Sequence, residues 1–141
     1  MNIYASDPGF CSGFDGGTHT CFEDLAVMRT IPNAIVCDPC DQVQLDWMVR
    51  ECAARNDGAI HYIRAYRKNV REVYEPGTKF ELGKGVTLRP GGDVTIIAVG
   101  LMVQKALAAA ELGFELASRK KYGDTTVDVL RAGERAASDN D

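Results

Sequence analysis

The sequence predicts an α/β fold with parallel strands, and three observations carry that prediction. Strand-like and helix-like segments alternate in the order strand, helix, strand, helix, strand up to Ala65. Ala34-Ile35-Val36-Cys37 is a short apolar run between Pro32-Asn33 and Asp38-Pro39, as expected of a strand buried in a parallel sheet. Leu45, Met48, Val49 and Cys52 then recur at i, i+3, i+4 and i+7, the buried stripe of a helix.

In chain order, Asn2 to Ser6 reads as the first strand, with β-forming Ile3 and Tyr4. A Gly-rich loop follows, carrying Asp15 and His19, one of only 2 histidines. Glycines 13, 16 and 17 let its backbone turn tightly. Thr20 and Glu23 have the spacing of a T-x-x-E capping box, which predicts a helix over 20–30. Asp15 and His19 are then expected beside a helix N-terminus, whose free N–H groups suit an anion. Asp41 is expected to cap a helix running to about Arg55, which Asn56-Asp57-Gly58 stops. Ala59 to Ala65 is the next strand.

Residues 68–79 are charged, carry Pro76-Gly77 and read as a linker. A second unit begins near Phe80. Gly85 to Leu88 and Val94 to Val99 are strand-like, separated by the turn residues Arg89-Pro90-Gly91-Gly92-Asp93. Beyond Gly100 an Ala/Leu-rich helix runs to about Leu112, with Met102, Val103, Ala106, Leu107 and Ala110 as a core stripe. Thr125 to Leu130 is a further strand candidate. The residues from 131 to 141 are polar and charged and read as a frayed tail.

Composition bounds the function. At 141 residues and 45% hydrophobic, the chain can build a sizeable core. No apolar run reaches membrane-spanning length, and Met1-Asn2-Ile3 opens no signal peptide. A net charge of -4 argues against a nucleic-acid partner, and the basic cluster Arg64, Arg67, Lys68 and Arg71 is too small for a duplex footprint. Five cysteines without a secretion signal fit reduced thiols in the cytoplasm. Cys37-Asp38-Pro39-Cys40 is a C-x-x-C with no second pair and no nearby histidine, so it reads as a strand end and a helix start, not as zinc or redox chemistry.

The motifs D-G-G-T-H (15–19), E-D-L-A-V-M-R-T-I-P-N (23–33) and D-P-x-D (38–41) resemble the transketolase family. So do Tyr62-Ile63-Arg64-Ala65-Tyr66-Arg67, Phe80 to Gly85 and Asp93 to Gly100. The similarity covers roughly residues 1 to 112 and is greatest to the C-terminal subunit of split transketolases. It implies that residues 1–67 are the second half of a pyrimidine-binding domain of the thiamine diphosphate enzyme type. It also implies that residues 80–130 begin a second α/β domain. The family reaction moves a two-carbon ketol unit between sugar phosphates with thiamine diphosphate and a divalent metal, Mg or Ca. By resemblance, His19 faces the reacting carbon and the cofactor, Asp15 a sugar hydroxyl, and Arg67 the sugar phosphate. Imidazole titrates near neutral pH, and guanidinium grips phosphate through paired donors. Arg64 is expected in structural ion pairs instead.

Departures from the family pattern shape the expectation. Asp7 stands where many members have a histidine, and Thr20 where they have a glutamine. The cofactor-activating glutamate and the diphosphate-binding domain have no counterpart here. The chain is therefore expected to be a fragment of a C-terminal subunit, inactive without an N-terminal transketolase subunit and a second copy, as a dimer or heterotetramer. A non-catalytic interaction module is the alternative from another class. A 1-deoxyxylulose-5-phosphate synthase or 2-oxoacid dehydrogenase β-type subunit is the alternative within the enzymes.

Overall fold

A computed structural model describes residues 1–11, 15–92 and 94–112, together with the backbone of two further strands, 114–122 and 125–132. Three strands form a parallel sheet in the order β1-β3-β2, with β1 at Asn2–Ser6, β2 at Ala34–Cys37 and β3 at Ile60–Ala65. Asn2 pairs with His61 and Ala34 with Ile60, so the strands begin nearly level and their carboxyl ends share one edge. The helices α1 (Asp24–Thr30) and α2 (Gln42–Ala54) make the crossovers. Cys37, Cys52 and Ile63 are the buried centre, with Ile35, Leu45, Met48 and Leu82 packed against them. The second histidine, His61, is also buried. Its Nδ1 lies 2.7 Å from Asn2 Oδ1 and its Nε2 3.3 Å from Asp57 Oδ1, so it is a satisfied core histidine.

The helix α2 follows its sequence signals. Asp41 Oδ1 accepts from the Gln44 N–H at 2.8 Å, and Oδ2 accepts from the Val73 and Tyr74 N–H groups, each at 2.8 Å. One buried carboxylate thus caps the helix and ties down the segment expected as a linker. Val49, expected on the buried face, is exposed, while Cys52 is buried and Leu45 and Met48 pack against the core.

The capping box does not form. Thr20 Oγ1 donates instead to the Gly17 carbonyl at 3.3 Å and closes a single 3-10 turn, Gly17–His19. Glu23 accepts from the Phe22 N–H at 3.1 Å and caps nothing with its side chain. The helix α1 is seven residues long and starts where Asp24 docks on β3.

Gly85 to Leu88 and Val94 to Val99, expected as strands, form no ladder among the described residues. Their Val86, Leu88, Val94, Ile96, Ile97 and Val99 side chains are exposed. β-forming composition needs a neighbouring strand to act on, and none is present there. Asp93, the last residue of the expected turn, lies outside the described residues. A third helix, α3, spans Met102–Leu112, with Val103 buried and Met102 exposed. It is followed by an antiparallel pair, β4 (Phe114–Tyr122) and β5 (Thr125–Ala132). β4 is a strand that the sequence pattern did not announce, and β5 overlaps the candidate at 125–130. The remainder of the expected tail, 133–141, lies outside the described residues. No described helix is long and apolar enough to cross a membrane.

Candidate functional site

The carboxyl ends of parallel strands are where α/β sheets assemble polar sites, because each strand there gives way to a loop. Here β1 ends into Asp7, β2 into Asp38, and β3 into Tyr66 and Arg67. Asp7 continues the ladder by donating its N–H to the Ala65 carbonyl at 2.8 Å, then turns the chain with φ at 56°. Aspartate is one of the few residues that adopts this conformation readily. Gly9 N–H donates to the Cys21 carbonyl at 2.9 Å, which draws the far side of the loop back onto the strand end.

Two charge clusters stand on this edge. In the first, Arg67 Nε donates to the buried Asp7 carboxylate, whose other oxygen accepts the Arg67 N–H at 3.1 Å. Arg67 Nη2 donates to Asp15 Oδ2 at 2.5 Å. The two carboxylates hold the Arg67 guanidinium above its ordinary pKa. In the second, Arg64 Nε meets Asp24 Oδ2 at 2.9 Å and Nη1 meets Asp38 Oδ2 at 2.6 Å. Burial works against the Arg64 charge, yet Asp38 and Asp24 outweigh it and the pKa rises. Tyr62 Oη donates to Asp24 at 3.1 Å, and Tyr66 Oη donates to Asp38 Oδ1 at 2.5 Å. Burial, reinforced by Asp24, pushes the Tyr62 phenol up to about 12. Burial and Asp38 push Tyr66 up as well. Both tyrosines are therefore neutral donors at neutral pH.

The structure thus joins Asp15 and Arg67, which are 52 residues apart in sequence. His19 stands on the exposed 3-10 turn of the same loop, with Nδ1 2.9 Å from Thr18 Oγ1. Arg64 makes the structural ion pairs expected of it. The helix N-terminus expected beside Asp15 and His19 is not there. α1 begins only at Asp24, and its first residue is a buried acid turned toward Arg64. Asp7 was readable as an unusual residue but not as a ligand of Arg67. That contact depends on β1 and β3 being neighbours, and the alternation of strands along the sequence does not specify neighbours.

The C-x-x-C is divided between two environments. Cys37 Sγ lies 3.9 Å from Cys52 Sγ, while the Cys40 N–H donates to Gln44 Oε1 at 2.9 Å. Burial pushes the Cys37 and Cys40 thiols up to about 12, so they are protonated and poor nucleophiles. Among the described residues no group of three or more His, Cys, Asp or Glu side chains could hold a metal ion.

Comparison with known proteins places these residues in context. Residues 4–73 match the family model for the transketolase pyrimidine binding domain, and residues 83–132 that for the transketolase C-terminal domain. A 6-deoxy-6-sulfo-D-fructose transketolase subunit from a Clostridium species is 42% identical over 111 residues, covering 79% of this chain and 34% of the relative. A putative transketolase C-terminal section from Methanocaldococcus jannaschii is 39% identical over 114 residues, covering 79% and 35%. A solved structure, "Split gene transketolase, inactive beta4 tetramer", superposes with a TM-score of 0.67 at 41% identity, covering 78% of this chain and 34% of that one. The chain spans about a third of the length of the relatives it matches.

Proposed function

Because this chain belongs to the transketolase family, we propose that it supplies one wall of a thiamine diphosphate-dependent ketol-transfer site and acts only with a second subunit. The observation that carries this reading is the Asp15–Arg67 pair at the carboxyl ends of the parallel strands, on the loop that also bears His19. These groups have the chemistry for a polyhydroxylated carbonyl substrate. Asp15 keeps one carboxylate oxygen for a sugar hydroxyl. Arg67 lies at the distal end of the sugar and orients it. His19, with its exposed imidazole, accepts and returns a proton at the hydroxyls next to the reacting carbon.

The transketolase family is thiamine diphosphate dependent. The described residues suit the reacting side of such a cofactor, where His19 would face it. They do not form a metal cluster for its diphosphate end, so in this proposal the divalent ion is held by the partner. When bound, the cofactor supplies the electron sink that the two-carbon transfer requires. The exposed apolar side chains Val86, Val94, Ile96 and Ile97 support a further covering subunit.

The test mixes the purified chain with a thiamine diphosphate-binding N-terminal transketolase subunit and follows ketol transfer. Transfer is expected only in the mixture, and His19→Ala should lower it about a hundredfold or more. Turnover by the chain alone would sink the shared-site reading. The second reading is an interaction module without catalysis, which the engagement of Arg67 by two carboxylates favours. In that case His19→Ala would leave both association and the partner's activity unchanged.

A further inference from the structure

Asp7 does more than turn the chain at the end of β1. Its carboxylate and that of Asp15 occupy Nε and Nη2 of Arg67, the edge of the guanidinium that would grip a tetrahedral anion side-on. Asp15 can yield its place, since its side chain is 38% exposed. Asp7 cannot, because its side chain is only 4% exposed and its second oxygen is already bound to the Arg67 N–H. Releasing it from Arg67 would leave a buried carboxylate without its counter-charge. The neighbouring Arg64 brings no surplus positive charge, being matched by both Asp24 and Asp38.

Resting on the ketol-transfer reading, we infer that Asp7 makes the distal end of this site selective for a neutral, hydroxyl-terminated sugar over a phosphorylated one. A hydroxyl both donates and accepts, so it can give its proton to the free oxygen of Asp15 and accept from the remaining Nη1 donors of Arg67. A phosphate monoester carries close to two negative charges and only accepts, so it meets two carboxylates with one guanidinium between them. Sequence position 7 thereby decides substrate class through Arg67, without itself touching the reacting atoms.

The experiment compares D-xylulose with D-xylulose 5-phosphate as donors, with glycolaldehyde as acceptor, using the chain assembled with a thiamine diphosphate-binding N-terminal subunit. The expected result is a kcat/KM higher for xylulose by about tenfold, the scale of one partly screened charge. Asp7→Asn, which keeps an acceptor for the Arg67 N–H, should reverse the order and make transfer sensitive to inorganic phosphate. If that variant does not fold, the wild-type ratio decides alone. Wild-type preference for the 5-phosphate would overturn the selectivity while leaving ketol transfer standing. No transfer from either sugar would overturn both.

Discussion

The backbone N–H of Gly100 donates to the carbonyl oxygen of Asp38 across 3.2 Å, and the Asp38 carboxylate fills the space that a side chain at position 100 would need. A Cβ there would lie 2.5 Å from Asp38 Oδ1 and 2.5 Å from Tyr66 Oη, with φ at +55°. Both neighbours are committed to the Arg64 cluster and cannot swing away. Gly100→Ala is therefore expected to destabilise the docking of residues 100–112 by about 1–3 kcal/mol. Limited proteolysis should show earlier cleavage between the two segments. Unchanged protease resistance would show that the contact is dispensable.

Arg64 neutralises two carboxylates that are themselves nearly buried. Arg64→Met should cost about 3–5 kcal/mol in urea unfolding, because Asp24 and Asp38 lose their counter-charge together. The exposed pair Arg50–Asp46, at 2.8 Å on α2, is the control. Arg50→Ala should leave the urea midpoint essentially unchanged, since exposed i,i+4 pairs are screened. Similar losses in the two variants would mean that burial does not set the value of these ion pairs.

Asp41 serves three backbone donors with one carboxylate. Asp41→Ala should lower stability by about 2–4 kcal/mol, more than an ordinary cap, because the Val73 and Tyr74 N–H groups are stranded along with that of Gln44. Asp41→Asn retains a single acceptor oxygen and should fall between. Amide exchange at Val73 and Tyr74 should quicken in both variants. Protection at those two amides that survives Asp41→Ala would refute the tie.

The raised thiols predict an alkaline weakness. Cys37 and Cys40 titrate near 12 in the folded chain and near 9 when exposed. Folding thus favours the protonated thiols. Their contribution is fully present below about pH 9 and is lost as pH rises toward 12. Urea midpoints measured at pH 8 and pH 10.5 should fall, and Cys37→Ala should flatten that slope. At pH 8 a thiol reagent should label exposed Cys21 rapidly and Cys37, Cys40 and Cys52 slowly. Equal labelling rates would argue against the buried placement.

The elements legible in the sequence are those whose signals are local. Asp41 caps α2 through its own loop, and the three strands of the sheet appear where short β-forming runs sit between turn residues. The capping box misled because the start of α1 is chosen elsewhere. Asp24 is drawn to Tyr62 and Arg64, 38 and 40 residues away, and Thr20 finds a nearer acceptor in Gly17. Val94 to Val99 has strand composition, yet a strand exists only as half of a ladder. The C-terminal family match runs to residue 132, beyond the motifs that end near 112, because β4 and β5 carry no motif that a single sequence reveals.

The candidate site divides in the same way. Asp15, His19 and Arg67 stand out as candidates by type and motif, since a Gly-rich loop and a strand-end arginine are local patterns. That Arg67 is already held by Asp7 and Asp15 was decided by the pairing of β1 with β3, which brings residues 60 and 52 positions apart into contact. Residue chemistry and its local spacing are written along the chain. The charge that a ligand meets is a sum over neighbours, and only the folded sheet chooses those neighbours.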